Sequence, residues 1–197
     1  MQNKNQEEEQ ALVESVVDFG KGSFFVSPEK IIKIAGIKSG DKVADFGCGA
    51  GYFSLPAAKT VGEAGQILAF DVLPSAIEAL ESRASTDGID NITVKRVNLE
   101  KENGTGLEEE SVDWVIVKDV LFQNKRKQNI LHEAKRILKK GGNILVMEWN
   151  ENLKLGPDGD FRIDAKELVE IIFAEGFVFK KKVDAGDYHY VIIATKM

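Results

Sequence analysis

The sequence predicts an α/β protein built on a parallel sheet with helices on both faces, and three observations carry that reading. Short apolar strand candidates alternate with helical patterns along the chain, with no internal repeat. At residues 43–52 a strand pattern runs directly into alternating glycines and then a helix. Finally, 197 residues with 43% hydrophobic content suffice for one domain with a continuous core and a ligand cleft, whereas two domains would be cramped.

The elements follow in order. Ala11, Leu12, Val16, Val17 and Phe19 predict a short amphipathic helix that ends at Gly20 and Gly22. Ser27 and Pro28 read as the N-cap and first position of a helix through Ile31, Ile32 and Ile34, stopped near Gly36. Five strands are expected at Lys42–Phe46, Gln66–Phe70, Ile92–Val97, Val112–Val117 and Asn143–Met147; each is short and mostly apolar, as a strand buried on both faces should be. Helices are expected between them at 52–60, 74–86 and 125–139, the last from the stripe Ile130, Leu131, Ala134, Ile137 and Leu138 with Gly141 and Gly142 as its stop. Asp164 and Glu167 read as a capping box for a helix ending at Gly176. Phe177–Val183 and Tyr188–Thr195 then form two strands whose four-residue connection requires an antiparallel hairpin.

Composition excludes several classes. With 26 Lys and Arg against 32 Asp and Glu, the net charge of −6 disfavours a broad nucleic-acid surface. A single cysteine permits neither an internal disulfide nor a cysteine-based zinc site, and two histidines are too few for a His-rich one, so no metal site is expected. No apolar run reaches the roughly 18 residues of a membrane span, and the opening MQNKNQEEEQ lacks the basic and apolar regions of a signal peptide. A cytoplasmic protein is expected.

The chemistry concentrates in Asp45-Phe46-Gly47-Cys48-Gly49-Ala50-Gly51-Tyr52, a strand ending in a carboxylate and a glycine loop. Glycines at such a junction let a ligand approach the backbone. Asp71, 20 residues beyond Gly51, stands at the end of the second strand, where a carboxylate can accept from both hydroxyls of a ribose. Two features oppose a nicotinamide or flavin dinucleotide: Tyr52 occupies the place of the third glycine of G-x-G-x-x-G, and Asp45 would repel a pyrophosphate. Asp45 can instead hold an ammonium. A ligand cationic at one end and ribosyl in the middle has the character of S-adenosylmethionine.

The chain resembles the class I S-adenosylmethionine-dependent methyltransferases, of the ubiquinone/menaquinone-biosynthesis type with a small catalytic domain. DFGCGAG, FDVLPSAIEAL, EESVDWVIVKDVLF and LHEAKRILKKGGNILVMEW carry the resemblance, which covers about residues 27–196. It implies a Rossmann-like, doubly wound seven-stranded sheet of order 3-2-1-4-5-7-6 with the last strand antiparallel. Residues 1–26 are then an N-terminal segment and lid helix, and residues 27–197 the methyltransferase domain. The resemblance further implies that Gly47, Cys48, Gly49 and Gly51 line the methionine and ribose portions, that Asp71 grips the ribose, and that Val72 and Leu73 lie against the adenine. Asn98 and Leu99 stand where relatives often carry an Asp that meets the adenine amino group; the amide oxygen of Asn98 can still accept there. Lys118 and Asp119 end the fourth strand, near the sulfonium and the acceptor, and Asp119 is the one candidate for a general base or acceptor-orienting group. Methyl transfer runs largely on proximity, orientation and exclusion of water, so a dedicated base is not obligatory.

The expected acceptor is a small organic molecule. No N/D-P-P-Y/F motif follows the fourth strand, Cys48 lies in the glycine loop rather than in a Pro-Cys motif, and one cysteine contradicts arsenite chemistry that relies on several thiols. Only about fourteen residues, 150–163, separate the fifth strand from the next helix, which predicts an open site covered by Phe24 and Phe25, with Glu148 and Trp149 as walls of the acceptor pocket. His189 is expected near the same sheet edge, and His132 is read as structural. Lys125, Arg126, Lys127, Lys135, Arg136, Lys139 and Lys140 read as a solvated helix face, although they motivate an RNA or protein methyltransferase as an alternative. A cofactor-binding regulatory or scaffold subunit is the second alternative. A homodimer is compatible with all three readings.

Overall fold

A computed structural model describes residues 16–17, 26–151 and 156–197. The apolar segments form β1 (Lys42–Phe46), β2 (Gln66–Asp71), β3 (Ile92–Arg96), β4 (Val112–Lys118), β5 (Leu138–Trp149), β6 (Phe177–Asp184) and β7 (His189–Lys196). The helices are α1 (Pro28–Ala35), α2 (Ser54–Val61), α3 (Pro74–Thr86), α4 (Lys127–Ile137) and α5 (Ala165–Ala174). These seven strands pair in the order β3-β2-β1-β4-β5-β7-β6, with β7 antiparallel to both neighbours and β1 to β5 mutually parallel. This is the order 3-2-1-4-5-7-6.

Both faces of the sheet are covered, because alternate residues of each buried strand point to opposite sides. Ala44, Phe46, Val115, Val117, Ile144 and Val146 pack with Ile130, Leu131 and Ala134 of α4 and with Leu168 and Ile172 of α5. Val43, Ile67, Ile116 and Leu145 pack on the other side with Ile31 and Ile32 of α1, Ala58 of α2 and Leu80 of α3. Among the described residues no helix is long and apolar enough to cross a membrane.

Three local readings are corrected. Val16 and Val17 are a two-residue strand parallel to β6, opposite Lys182 and Val183, and not part of a helix; β-branched residues suit the open edge that β6 offers. The other residues of that expected helix, together with the proposed covering pair Phe24 and Phe25, lie outside the described residues. The helix expected over 125–139 spans 127–137, because Leu138 turns extended and pairs with Val112, beginning β5 five residues earlier than expected. Ser27 precedes Pro28 at the start of α1, but its hydroxyl makes no capping bond. Asp164 does cap α5, accepting from the Glu167 N–H at 2.7 Å.

One buried polar knot fixes the loop after β3. Glu133, 2% exposed, accepts from the N–H and hydroxyl of Thr105 at 3.0 and 2.5 Å and from the guanidinium of Arg136 at 2.8 Å. Asn129 of α4 donates to the Glu100 carbonyl at 2.8 Å, so the same helix grips the loop at two points. Glu133→Ala is expected to cost about 3 kcal/mol, because it leaves Arg136 and the Thr105 N–H without their acceptor. Urea denaturation measures this directly, and a loss within about 0.5 kcal/mol, the range of an ordinary surface substitution, would deny the knot its structural role.

Candidate cofactor and acceptor site

In an open parallel sheet, ligands bind outside the carboxyl ends of the strands where the strand order reverses. Here that point lies between β1 and β4, and a cavity of about 580 Å³ opens there. Asp45, Gly47, Cys48, Gly49, Asp71, Val72, Leu73, Asn98, Leu99, Lys118 and Asp119 all line it. They come from four separate stretches of sequence, and parallel pairing brings the ends of those stretches to one edge.

Gly51 differs from its expected place and lies outside the cavity wall: a Cβ there would stand 2.6 Å from Leu80 of α3, so this glycine faces the core. Gly47 meets the next segment closely, since a Cβ would fall 2.4 Å from Val120. Gly49 has φ +51°, with nothing within 4 Å of where its Cβ would be. That combination gives a left-handed backbone facing open space.

The glycine loop is held by β2. The N–H groups of Gly47 and Cys48 donate to the Phe70 carbonyl at 2.8 and 3.0 Å. Asp71 accepts from the Gly49 N–H at 3.0 Å through one oxygen and from the Leu73 N–H at 2.9 Å through the other. Each carboxylate oxygen has a second lone pair available to a hydroxyl donor. Beyond it, Val72 and Leu73 leave 52% and 57% of their surface exposed, an apolar shelf beside a polar anchor. The amide oxygen of Asn98 accepts from the Glu100 N–H at 2.9 Å, bending the chain into an Asx turn and using one of its two lone pairs.

Asp45 is buried at the base of the loop and accepts from the Ser54 hydroxyl at 2.5 Å. Burial, reinforced by the nearby Asp71 charge, pushes its pKa up to about 6 against the pull of the Ser54 hydrogen bond. Burial and the same carboxylates also push the Cys48 thiol up, so this cysteine is a poor nucleophile.

The opposite wall carries a charge cluster. Lys118 donates to one oxygen of Asp119, and His189 Nε2 stands 3.2 Å from the other. Burial alone would raise the Asp119 pKa, but the His189 and Lys118 partners outweigh it and hold the carboxyl below its ordinary value. Asp119 adopts φ +54°, uncommon for a residue other than glycine, with its N–H bound to the Met147 carbonyl and its own carbonyl accepting from the Gln123 amide. Glu148, 0% exposed, accepts from the Leu121 N–H at 2.9 Å, and its Oε2 has no hydrogen-bond partner among the described residues. Burial, then the Asp119 charge, raise its pKa to about 8.

Glu148 and Trp149 therefore do not form cavity walls. Glu148 lies behind the wall, and the Trp149 ring packs on His189 with centroids 4.3 Å apart. Sequence reasoning missed Tyr52 as a lining residue, although it directly follows the glycine loop. Its hydroxyl donates to the Val26 carbonyl at 3.1 Å, and the Lys118 ammonium lies 5.2 Å from its ring centroid. Gln123 and Asn124 also line the cavity and were not anticipated. Among the described residues no group of three or more His, Cys, Asp and Glu could hold a metal ion.

The fold and this cavity define the class I methyltransferase architecture. Residues 37–182 match the profile of the family described as "Methyltransferase domain", and the chain belongs to that family. Its fold is similar to that of a SAM dependent methyltransferase from Aquifex aeolicus, with a TM-score of 0.81 and 25% identity over 88% of this chain and 91% of that one. It is 30% identical to a ubiquinone/menaquinone biosynthesis C-methyltransferase UbiE from Haemophilus ducreyi, over 61% of this chain and 46% of that protein. It is 26% identical to an arsenite methyltransferase from Halobacterium salinarum, over 82% of this chain and 41% of that protein. The chain thus spans about half the length, or less, of these curated relatives.

The buried carboxylates give stability a pH signature. Glu148 has a folded pKa above its ordinary value of 4.5, so the folded state binds more protons than the unfolded one between 4.5 and about 8. Its contribution is present at the acid end of this window and is lost as pH rises through 8. Glu148→Gln should remove that loss and gain stability relative to the parent from pH 5 to pH 8. Melting curves at fixed ionic strength check this, and parallel pH profiles for parent and variant would show that Glu148 is ionised throughout.

Proposed function

We propose that this domain binds S-adenosylmethionine in the cavity between β1 and β4 and directs its methyl group to a small organic acceptor. The observation that carries the reading is the convergence on one cavity of a ribose-competent carboxylate at Asp71, an ammonium-competent carboxylate at Asp45, and the open backbone of Gly49 between them. Similarity to the methyltransferases supports it. The cofactor would supply an electrophilic methyl group on a sulfonium; the protein's part is to bind, orient and exclude water.

Asp71 would accept from the ribose hydroxyls, Val72 and Leu73 would cover one face of the adenine, and Asn98 with Leu99 would edge it. Gly47, Cys48 and Gly49 would border the methionine portion, and Asp45 would receive its ammonium. Lys118 and Asp119 would face the acceptor, with Asp119 held ionised to orient an acceptor hydroxyl or amine. Residues 1–26 are proposed as the segment that covers this site, leaving residues 27–197 as the catalytic domain.

A small organic acceptor is favoured over arsenite, because the chain's one cysteine is buried and its thiol pKa is raised. It is favoured over RNA because the basic face of α4 is discontinuous: Arg136 is paired with buried Glu133. No observation favours a scaffold role without catalysis.

Asp71→Ala should weaken S-adenosylhomocysteine binding by about 1–3 kcal/mol in calorimetric titration, the scale of charge-assisted hydrogen bonds in a partly buried site. Unchanged affinity in a folded variant would contradict the ribose assignment. Asp45 adds a pH test. An ammonium favours the ionised carboxylate, so affinity should fall as pH drops below about 6, and Asp45→Asn should bind weakly with a flat profile. Asp119→Asn should lower kcat at least tenfold once an acceptor is found, with cofactor affinity changed less than about threefold.

A further inference from the structure

A second cavity, of about 470 Å³, opens at the opposite end of the sheet, where β4 and β5 begin. Lys38, Lys139, Lys140, Lys180 and Lys181 line it, against two carboxylates, Asp41 and Asp113. This is a local excess of positive charge in a chain whose net charge is −6.

The lysines gather for a structural reason. Between β4 and β5 the pairing jumps from Val112↔Leu138 to Trp114↔Asn143, so Lys139, Lys140, Gly141 and Gly142 have only Asp113 across from them. The strand bulges, and two lysines are displaced toward the cavity. Lys180 and Lys181 arrive from β6 and Lys38 from the loop before β1.

Both aspartates are already engaged. Asp41 accepts from the Lys38 N–H at 2.9 Å, and Asp113 accepts from the Lys42 N–H at 2.9 Å and the Lys139 ammonium at 2.7 Å. Those partners hold the Asp113 carboxyl below its ordinary value against the effect of burial. Lys180 and Lys181 are anchored differently, on neutral oxygens: the Asn143 amide at 2.8 Å and the Ile34 carbonyl at 2.5 Å. Such anchors fix an ammonium without cancelling its charge and leave two of its three N–H donors for another acceptor.

We infer that this cavity is a binding site for a compact oligophosphate anion, separate from the cofactor cavity. Anchored ammonium groups suit phosphate oxygens as point charges. The cleft's volume of about 470 Å³ suits a small ligand, and the rest of the chain is more acidic than its net charge, which repels an extended polyanion such as a nucleic-acid strand.

The test is calorimetric titration of the full chain, without added cofactor, with tripolyphosphate at 50 mM salt. Binding should saturate at one per chain, weaken several-fold at 150 mM salt, and persist when S-adenosylhomocysteine is added. Lys180→Gln with Lys181→Gln should weaken it at least tenfold. Because Lys181 also touches α1, Lys140→Gln provides a second variant on an exposed side chain and should weaken it at least threefold. A control pair on other surfaces, Lys95→Gln with Lys166→Gln, should leave it unchanged. Absence of binding, equal affinity in all three variants, or tighter binding of a twenty-nucleotide single-stranded RNA than of tripolyphosphate would overturn the inference. None of these outcomes depends on the methyltransferase reading, since the readout needs neither cofactor nor acceptor.

Discussion

The hydrogen bond from the Gly49 N–H to the Asp71 carboxylate is the constraint on which the site depends. It joins the glycine loop after β1 to the end of β2, and it forms only because those strands pair in parallel register with Phe46 opposite Phe70. Through its other oxygen the same carboxylate orders the turn that presents Val72 and Leu73. One side chain therefore sets the loop, the apolar shelf and the polar anchor of the cavity. Such preorganisation lets a ligand find its partners in place, without the entropic cost of ordering them.

The carboxylates at this edge fall into two electrostatic groups. Asp45 and Glu148 are buried with too little compensation, and their pKa values rise to about 6 and 8. Asp119 is also substantially buried, but Lys118 and His189 flank it, and its pKa falls. The wall that carries Asp119 thus holds an ionised carboxylate beside Lys118, while the base of the glycine loop holds a group whose charge a cation can draw out.

Much of this arrangement is legible in the sequence, for a topological reason. In a parallel sheet the carboxyl ends of neighbouring strands share one edge, so Asp45, Asp71, Asn98 and Asp119, each within two residues of a strand end, are brought together without any detailed contact being known. Helix α3 is legible at Pro74 because a proline at the first turn has no N–H to lose. Features set by long-range pairing are not. Leu138 continues the apolar stripe of α4, yet pairing with Val112 of β4 draws it into a strand. Glu148 is buried and the Trp149 ring packs on His189, an arrangement set by the antiparallel register that places Tyr190 and His189 of β7 opposite them. The contact of Gly51 with Leu80 depends on how α3 packs, and the lysine cavity assembles from segments more than a hundred residues apart.

We propose that the Asp71-anchored glycine loop takes an adenosyl ligand bearing an amino acid and not a dinucleotide. Parallel calorimetric titrations with S-adenosylmethionine, S-adenosylhomocysteine and NAD test it most directly. Saturable binding of the two adenosyl sulfur ligands, with none for NAD, is the predicted result; binding of NAD alone, or of none of the three, would contradict the account.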